Sequence, residues 1–450
     1  MRASASISLW LLALSMATPL AGGCDWRDID KDKIGTPVLS VGAPSKFGTD
    51  GDFGRIVVPI AAPSETDGVV SRFVVSGVSG TGLALVELNA AGRPTTTNVS
   101  SPVFNGTHPL KGYPLTAVAE IPGSKPGQIL AAAKELDVEG SIIYTISLGA
   151  SHEGSVFIYS ISEPFLGIGV AAADLKLGGA EPEYLVATAD VLHVYVDGNP
   201  AMPLTWGLGA GGDTCPLSLP GGSDPKKIPL SRPILVGHFM GAGTAPQIVM
   251  SNFGSPTVGS PPVMGTVSFF GIDAQNQLSC LGTITGSEQL FGKSMAMGDF
   301  NGDLVPDLIV GAPPSKAYVF FGPLTSMSPG VPLPPDQAAA VNYGQAVGAI
   351  NLEGVGPDQA IVGDPDAAVS GTLGAGSAQL FTFTGQVPTR GMLLTAHDPS
   401  SNASYGATVN GIAFCGMKCG AGAAPRLPLV GAGDRVLTYF TLGKTDLRKP

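Results

Sequence analysis

Short apolar runs separated by glycine- and proline-rich turns recur along this chain. The clearest unit has a first run at residues 294–297, a polar loop, a second run at 308–310 and a third run at 317–321, which Gly322 ends. The second run is apolar at every position, which is typical of a strand that is covered on both faces. The pattern therefore predicts sheets of short strands that pack against one another.

Weaker copies of this unit recur at intervals of roughly 50 to 65 residues. Residues 37–44 supply one more partial unit, with a second run and a Gly-Ala-Pro turn, followed by Phe47-Gly48. The other first runs begin near residues 117, 170, 235, 295, 346 and 407. A ring of about seven such units would bury each sheet between its neighbours, so the pattern predicts a β-propeller. A β-solenoid usually has much shorter units, and the recurring Leu-Ile-Val-Gly sequence argues against separate β-sandwiches.

The composition agrees with many turns around a large buried core. The 450 residues include 63 glycines and 39 prolines, and 44% are hydrophobic while only 13% are charged. Disordered chains have fewer apolar residues and more charge, so a folded chain is expected. The net charge of −11 repels phosphate backbones, which argues against a nucleic-acid partner.

The N-terminus has the pattern of an export signal. Arg2 is followed by an apolar stretch at residues 7–17, which is too short to span a bilayer, and then by small residues up to Cys24. Residues 21–24 (Ala-Gly-Gly-Cys) resemble a bacterial lipobox, although the usual leucine stands one place early, at Leu20. Lipid on Cys24 would anchor the chain to a membrane. The alternative is ordinary signal cleavage just before this cysteine.

These features divide the chain into four expected parts. Residues 1–23 are the signal peptide, 24–36 the anchor cysteine and a short linker, 37–441 the propeller, and 442–450 a C-terminal tail. No later stretch reaches about 18 apolar residues without glycine, proline or charge, so no transmembrane helix is expected. The short signal and the Ala/Gly/Pro bias favour a bacterial source. The expected location is the cell envelope, anchored and facing the periplasm or the surface, or outside the cell if the cysteine carries no lipid.

The cysteines fit an oxidising compartment. If Cys24 is lipidated, four of the five remain, an even number that allows two disulfides. Cys415 and Cys419 are near enough in sequence to close a small loop, and Cys215 would then pair with Cys280. Free or metal-bound thiols stay open as the alternative.

One unit resembles a known repeat. Residues 294–322, with Phe291-Gly292 before them and Gly311-Ala312-Pro313 within them, resemble the FG-GAP repeat of the integrin α-subunit propeller and its bacterial relatives. The match is specific over this unit and degenerate over the other six. The resemblance implies an all-β fold, a seven-bladed β-propeller of integrin-like FG-GAP repeats. It also implies adhesion, ligand binding or scaffolding outside the cell.

The polar loop of the clearest unit has the spacing of a calcium loop. Asp299, Asn301, Asp303 and Asp307 follow the pattern D-x-N-x-D-x-x-x-D, and the backbone carbonyl of Val305 can add another oxygen. Calcium binds about six to eight oxygens, and alternate side chains of a tight loop can converge on one centre. We expect calcium with a structural role, and Asp307 as its bidentate ligand. The alternative is a solvated acidic turn.

Other acidic positions are weaker candidates for calcium. The corresponding loops of the other units have lost most of these ligands; residues 351–358 keep Asn351, Glu353 and Asp358 at the wrong spacing. A second calcium could bind near the N-terminus, at Asp28, Asp30 and Asp32. A flexible acidic linker after the anchor is the favoured interpretation of that segment.

The sequence favours binding over catalysis. Its histidines form no zinc-binding pair, it has no Gly-x-Ser-x-Gly nucleophile elbow, and few acid–base side chains fall in the first runs. We therefore expect a non-catalytic binding or adhesion scaffold whose loops contact a protein or a glycan. Two alternatives stay open: a propeller-based polysaccharide lyase or hydrolase, and a structural part of an envelope complex.

Overall fold

The computed structural model describes most of the chain between Cys24 and Tyr439. The described residues are 24–27, 38–42, 54–61, 69–76, 83–89, 94–98, 115–124, 127–134, 141–149, 154–160, 168–177, 181–188, 190–201, 203–207, 215, 232–241, 244–252, 264–288, 290–336, 340–396, 401–413, 426–433 and 435–439. Among them, no helix is long and apolar enough to cross a membrane.

The described strands form seven antiparallel sheets. In chain order they are β1 (Cys24–Arg27), β2 (Val38–Gly42), β3 (Ile56–Ile60), β4 (Val69–Ser76), β5 (Leu83–Asn89), β6 (Pro94–Asn98), β7 (Leu115–Ile121), β8 (Gln128–Lys134), β9 (Ser141–Ser147), β10 (Gly154–Ser160), β11 (Gly169–Ala173), β12 (Glu183–Ala187), β13 (Val191–Tyr195), β14 (Leu204–Gly207), β15 (Ile234–Gly237), β16 (Gln247–Asn252), β17 (Thr266–Ile272), β18 (Leu278–Thr285), β19 (Ser294–Gly298), β20 (Asp307–Ala312), β21 (Lys316–Phe320), β22 (Val331–Pro332), β23 (Ala346–Ile350), β24 (Gln359–Asp364), β25 (Ser377–Thr384), β26 (Val387–Thr395), β27 (Thr408–Ala413), β28 (Arg426–Gly431) and β29 (Arg435–Tyr439). Blades 1 to 6 each consist of four successive strands, so that blade 1 is β3–β6 and blade 6 is β23–β26. Blade 7 combines β27–β29 with β2 and β1.

Blade 7 is built from both ends of the chain. Its strand order is β1-β2-β29-β28-β27, with Val38 opposite Tyr439 and Cys24 opposite Val41. The prediction that residues 37–44 supply the second strand of a first unit is therefore wrong, because β2 is the fourth strand of the last blade and blade 1 begins at β3. An apolar pattern identifies strands, but only closure of the ring shows which strand pairs with which. Pairing of the two ends in one blade ties the start of the described chain to its last unit.

The core lies between neighbouring blades, as the continuous apolar runs predict. All six residues of β16 and all six of β20 are buried. One cluster packs Phe300 and Ile309 of blade 5 against Val347, Ala360 and Phe381 of blade 6. Apolar burial stabilises such contacts by ~25 cal/mol per Å². The prediction of an all-β, seven-bladed β-propeller is confirmed.

The alternating strands give the propeller two unlike faces. The belt face is the side where first strands begin and second strands end, marked in blade 5 by Gly292 and Gly311. The loop face is the side where the first strand turns into the second and the third into the fourth, at residues 299–306 and 321–330 of blade 5. In blade 7 the antiparallel pairing places Cys24, the first residue of β1, at the belt-face end.

A disulfide ties the approach to blade 4 to that blade's outermost strand. Cys215 bonds to Cys280 in β18, with an S–S distance of 1.96 Å and a Cα–Cα distance of 5.8 Å. Cys415 and Cys419 lie outside the described residues. Of Cys24 the structure describes only the backbone, which forms part of β1 inside the segment predicted as anchor and linker.

Candidate functional site

The predicted calcium ligands lie together on the loop face of blade 5. Asp299, Asn301 and Asp303 occupy the turn between β19 and β20, and Asp307 is the first residue of β20. Gly302 has a φ of +81°, a left-handed conformation that glycine adopts without steric cost. The local sequence thus folds as the spacing predicts, with alternate polar side chains in one tight turn.

Backbone N–H groups of the turn bind its own side chains. Asp299 Oδ1 accepts hydrogen bonds from Gly302 N–H at 2.8 Å and Asp303 N–H at 3.1 Å, and its Oδ2 accepts one from Leu304 N–H at 3.0 Å. Asp303 Oδ1 accepts from Val305 N–H at 2.8 Å, and Asp303 Oδ2 accepts from Asn301 Nδ2 at 2.8 Å. These bonds hold the polar side chains over the turn.

Asp307 is the buried member of the set. Its side chain is fully buried, and its two oxygens accept hydrogen bonds from Phe300 N–H at 2.7 Å and Gly322 N–H at 2.8 Å. Burial raises the pKa of Asp307 to about 6; the two hydrogen bonds lower it, and the nearby charges of Asp303 and Asp299 raise it further. The loop thus concentrates negative charge, and a cation would relieve the repulsion.

The donor chemistry of this loop fits calcium. Two carboxylates, an amide, a buried carboxylate and a backbone carbonyl are all oxygen donors, as a hard cation requires. Among the described residues, no group of three or more His, Cys, Asp or Glu side chains is placed to hold a metal ion. A cation at this loop would therefore also need the amide oxygen of Asn301 and the backbone carbonyl oxygen of Val305 as ligands. The second candidate, Asp28 to Asp32, lies outside the described residues.

The position of Asp307 has a counterpart in three other blades. The first residue of the second strand in blades 3, 4 and 6 is Glu183, Gln247 or Gln359, and its side-chain oxygen accepts a hydrogen bond from an N–H of the preceding turn. The distances are 2.6 Å for Glu183, 3.0 Å for Gln247 and 3.0 Å for Gln359. This position therefore braces the turn in all four blades. What distinguishes blade 5 is the set of Asp299, Asn301 and Asp303.

Asp358 of blade 6, supported by Arg426 of blade 7, holds the acidic loop of blade 5 from outside. Asp299 N–H donates to Asp358 Oδ2 at 3.0 Å, and Asp358 N–H donates to the carbonyl of Asp299 at 2.7 Å. Asp358 Oδ1 accepts from Asn351 Nδ2 at 3.0 Å and pairs with Arg426 Nη2 at 2.5 Å. Asp358, which the sequence analysis placed in a loop that has lost most of the calcium ligands, thus links blades 5, 6 and 7. Sequence reasoning missed Arg426, which no local pattern marks.

A belt of glycines lies on the opposite face, where each hydrogen bond joins the segment before a first strand to the second strand of the same blade. Gly292 N–H donates to the carbonyl of Gly311 at 3.0 Å, which connects the Phe-Gly and Gly-Ala-Pro elements of the repeat. The same 3.0 Å bond recurs from Gly344 to Gly363 and from Gly406 to Gly431. Tyr343-Gly344 and Tyr405-Gly406 thus replace Phe291-Gly292 in blades 6 and 7. The aromatic-glycine pair that recurs before the first strands of blades 5, 6 and 7 is the signal that would have revealed these copies.

One other cluster of reactive groups lies on the belt face of blade 5. Glu288 Oε1 accepts hydrogen bonds from Lys316 Nζ at 2.5 Å, Tyr318 OH at 2.9 Å and Ser287 Oγ at 2.6 Å. Burial works to raise the pKa of Glu288, but these hydrogen bonds outweigh it and hold the pKa below its usual value. The carboxylate therefore stays ionised and paired at neutral pH, which does not suit a general acid.

The blades and the belt define the class of protein, a seven-bladed β-propeller that contains an FG-GAP repeat. Residues 291–322 match the family model described as FG-GAP repeat. This is the unit that the sequence singled out, so the predicted resemblance is confirmed there.

Comparisons with whole proteins add little to this assignment. No curated protein matches the chain. Among solved structures, the crystal structure of the Saccharomyces cerevisiae Sqt1 aligns with a TM-score of 0.49 and 8% identity, over 92% of this chain and 94% of that chain. A likeness at this level carries no argument about function.

Proposed function

We propose that the protein is an exported, lipid-anchored and non-catalytic scaffold of the bacterial cell envelope, which calcium stabilises and which binds a protein or glycan. The observation that supports this best is the position of the acidic loop. The loop belongs to blade 5, and its first residue is held by Asp358 of blade 6, which pairs in turn with Arg426 of blade 7. A cation bound to Asp299, Asn301 and Asp303 would therefore stabilise the contact between neighbouring blades and keep their loops in place for a partner.

The anchor is proposed at Cys24. This residue begins β1 at the belt-face end of blade 7. Lipid at that point would hold the propeller by the edge of one blade and direct the loop face away from the membrane. Such an anchor needs no spanning helix.

Loss of one calcium ligand should remove the stabilising effect of calcium. A ligand that binds only the folded state at 100 times its Kd stabilises it by about 2.7 kcal/mol, which for a chain of this size corresponds to roughly 3 °C in Tm. We expect the purified mature protein to show such a rise when calcium replaces chelator. Asp303→Ala should abolish the rise, because Asp303 supplies a carboxylate at the centre of the loop.

Asp273→Ala is the matched control for this experiment. Asp273 is an exposed aspartate in a loop-face turn of blade 4, where its Oδ1 accepts hydrogen bonds from Gln275 N–H at 2.9 Å and Gln277 N–H at 2.8 Å. Its replacement should lower Tm slightly and leave the calcium response intact. A wild-type protein whose Tm is the same in calcium and in chelator would refute calcium stabilisation.

Replacement of the anchor cysteine should release the protein from the membrane. In cells that export it, the wild type should sediment with membranes and carry an acylated N-terminal cysteine, measured by mass spectrometry of the mature N-terminal peptide. Cys24→Ser should move the protein to the soluble fraction. An unmodified wild-type peptide beginning at this cysteine would contradict lipidation and leave ordinary signal cleavage.

A further inference from the structure

We propose that Asn301 is a site of self-modification, at which the acidic loop drives loss of the side-chain amide by reaction with the backbone nitrogen of Gly302. The consequence for calcium rests on the proposed function, but the modification itself does not. Asparagine followed by glycine is prone to this chemistry, because glycine has no Cβ atom to shield its nitrogen. The sequence has three such pairs, at residues 105–106, 301–302 and 410–411, and the first lies outside the described residues.

The reaction needs only water as a second reactant. The Gly302 nitrogen attacks Cγ of Asn301, which forms a carbon–nitrogen bond and closes a five-membered ring. The Cγ–Nδ2 bond breaks, and Nδ2 leaves as ammonia with the proton that the Gly302 nitrogen gives up. Water then opens the ring at one of its two carbonyl carbons. Opening at the side-chain carbonyl gives aspartate, and opening at the main-chain carbonyl gives isoaspartate.

The acidic loop holds the Asn301 amide close to the nitrogen that attacks it. Asn301 Nδ2 donates to Asp303 Oδ2 at 2.8 Å, and Asn301 Oδ1 accepts from Asp303 N–H at 3.0 Å. Because both ends of the amide bind the residue two places on, the side chain folds back over the intervening Gly302 peptide. Groups that the fold holds together in this way react faster than groups that meet by chance.

Two hydrogen bonds of the loop suit the charges that change during ring closure. Gly302 N–H donates to Asp299 Oδ1 at 2.8 Å, so this carboxylate is placed to accept the proton as the nitrogen attacks. The hydrogen bond from Asp303 N–H to Asn301 Oδ1 stabilises the negative charge that develops on this oxygen. Gly302 is exposed, so water can reach the ring and open it.

The pair Asn410-Gly411 has a different environment and serves as an internal control. It lies within β27, where the chain is extended and pairs with β28. Asn410 Nδ2 donates to the carbonyl of Val57 in blade 1 at 2.7 Å, which directs this amide away from its own backbone. A Cβ atom on Gly411 would lie 2.4 Å from the carbonyl oxygen of Ala349, so the backbone has little room to rearrange into a ring.

Loss of the amide would alter the proposed calcium loop. The aspartate product has no N–H donor for Asp303 Oδ2 and places another negative charge beside it. The isoaspartate product carries the main chain through Cβ and Cγ, which adds a methylene group to the backbone before Gly302. The N–H groups of Gly302 and Asp303 would then no longer both reach Asp299 Oδ1, which accepts from both in the unmodified loop. The modified protein should therefore show a smaller rise in Tm when calcium is added.

Mass spectrometry of the full mature protein tests the modification. The native protein is incubated in chelator, at mildly alkaline pH, in water that carries heavy oxygen, so that a product formed during the incubation keeps a heavy oxygen atom. We expect residue 301 to be modified at least about 10-fold faster than residue 410. In guanidinium chloride the two pairs should react at similar rates, because the fold no longer distinguishes them. Equal rates in the native protein, or no heavy oxygen at residue 301, overturn the proposal.

Asp299→Asn separates the effect of the loop from the reactivity of the dipeptide alone. This variant keeps an acceptor for Gly302 N–H but removes the negative charge, so it should slow modification of Asn301 by about 10-fold or more. The matched control is Asp273→Asn, because Asp273 is an exposed aspartate that accepts two backbone hydrogen bonds in a turn of blade 4. The control should leave the rate unchanged. An unchanged rate in Asp299→Asn would show that the loop does not drive the reaction and would overturn the proposal.

Calcium measurements on incubated protein distinguish this inference from the proposed function. Incubated wild type should show a smaller rise in Tm with calcium than fresh wild type, whereas Asn301→Ser, which cannot form the ring, should respond equally before and after incubation. An equal rise in fresh and fully modified wild type would overturn the stated consequence. Modification of Asn301 in a protein that shows no rise when fresh would refute the calcium site alone. A full rise with an unmodified Asn301 would refute only this inference.

Discussion

Gly311→Ala is expected to destabilise the folded protein by about 3 kcal/mol. A Cβ atom at this position would lie 2.1 Å from the carbonyl oxygen of Gly344 and 2.2 Å from Ser294 Oγ. The carbonyl belongs to the next blade, and the N–H of Gly344 is itself bonded to Gly363 at 3.0 Å. The belt therefore cannot yield locally, and blades 5 and 6 would have to move apart.

Chemical denaturation measures this effect, with Gly391→Ala as the matched control. Gly391 also lies in a strand, β26, but a Cβ atom there would meet its nearest neighbour, the carbonyl of Leu380, at an ordinary 3.4 Å. Its replacement should change the free energy of unfolding by less than about 1 kcal/mol. Similar stability of the two variants would show that the belt does not hold the blades together.

Asp358→Ala is expected to cost about 3 kcal/mol of unfolding free energy. The side chain of Asp358 is 8% exposed, and its carboxylate accepts hydrogen bonds from Asp299 N–H, Asn351 Nδ2 and Arg426. Its removal leaves Asp299 N–H without this acceptor, while Asn351 Nδ2 keeps its hydrogen bond to the carbonyl of Gly356 at 3.0 Å. Arg426 contributes less, because its side chain is 38% exposed and water can replace its partner. Asp358→Asn keeps an acceptor for Asp299 N–H, so it should lower the free energy of unfolding by less than Asp358→Ala.

Asp336→Ala is the control for this variant. Asp336 pairs with Arg390 at 3.0 Å, but the two side chains are 48% and 39% exposed, so its loss should cost about 0.5 kcal/mol at most. Asp358→Ala should also reduce the rise in Tm on calcium addition, because the first residue of the loop is no longer held from blade 6. If Asp358→Ala lowers the stability but leaves the rise in Tm on calcium addition unchanged, Asp358 stabilises the contact between blades without supporting the acidic loop.

Local patterns explain why much of the candidate site could be predicted. Asp299, Asn301, Asp303 and Asp307 lie within one turn, so their spacing alone brings them together. The apolar second strands were equally visible, since every position of a strand such as β20 is buried. Both signals are contained in a single repeat unit and need no knowledge of its neighbours.

Contacts between blades could not be predicted from patterns within a single repeat unit. Asp358 is 59 residues from Asp299, and nothing in its own turn marks it as a partner of the acidic loop. Tyr343 and Tyr405 stand where the repeat has phenylalanine, because the fold requires a buried aromatic ring there and tolerates either type. A motif of two residues is too short to recognise once one of them changes.

The sequence by itself determined most of the repeating strands and the acidic loop, because each depends on residues close together in the chain. Only the tertiary structure decided that β2 completes the last blade, that blade 1 begins at β3, and that Asp358, paired with Arg426, holds the acidic loop. These features arise when the ring closes. Closure brings together residues from distant units, and no local preference of the chain encodes such contacts.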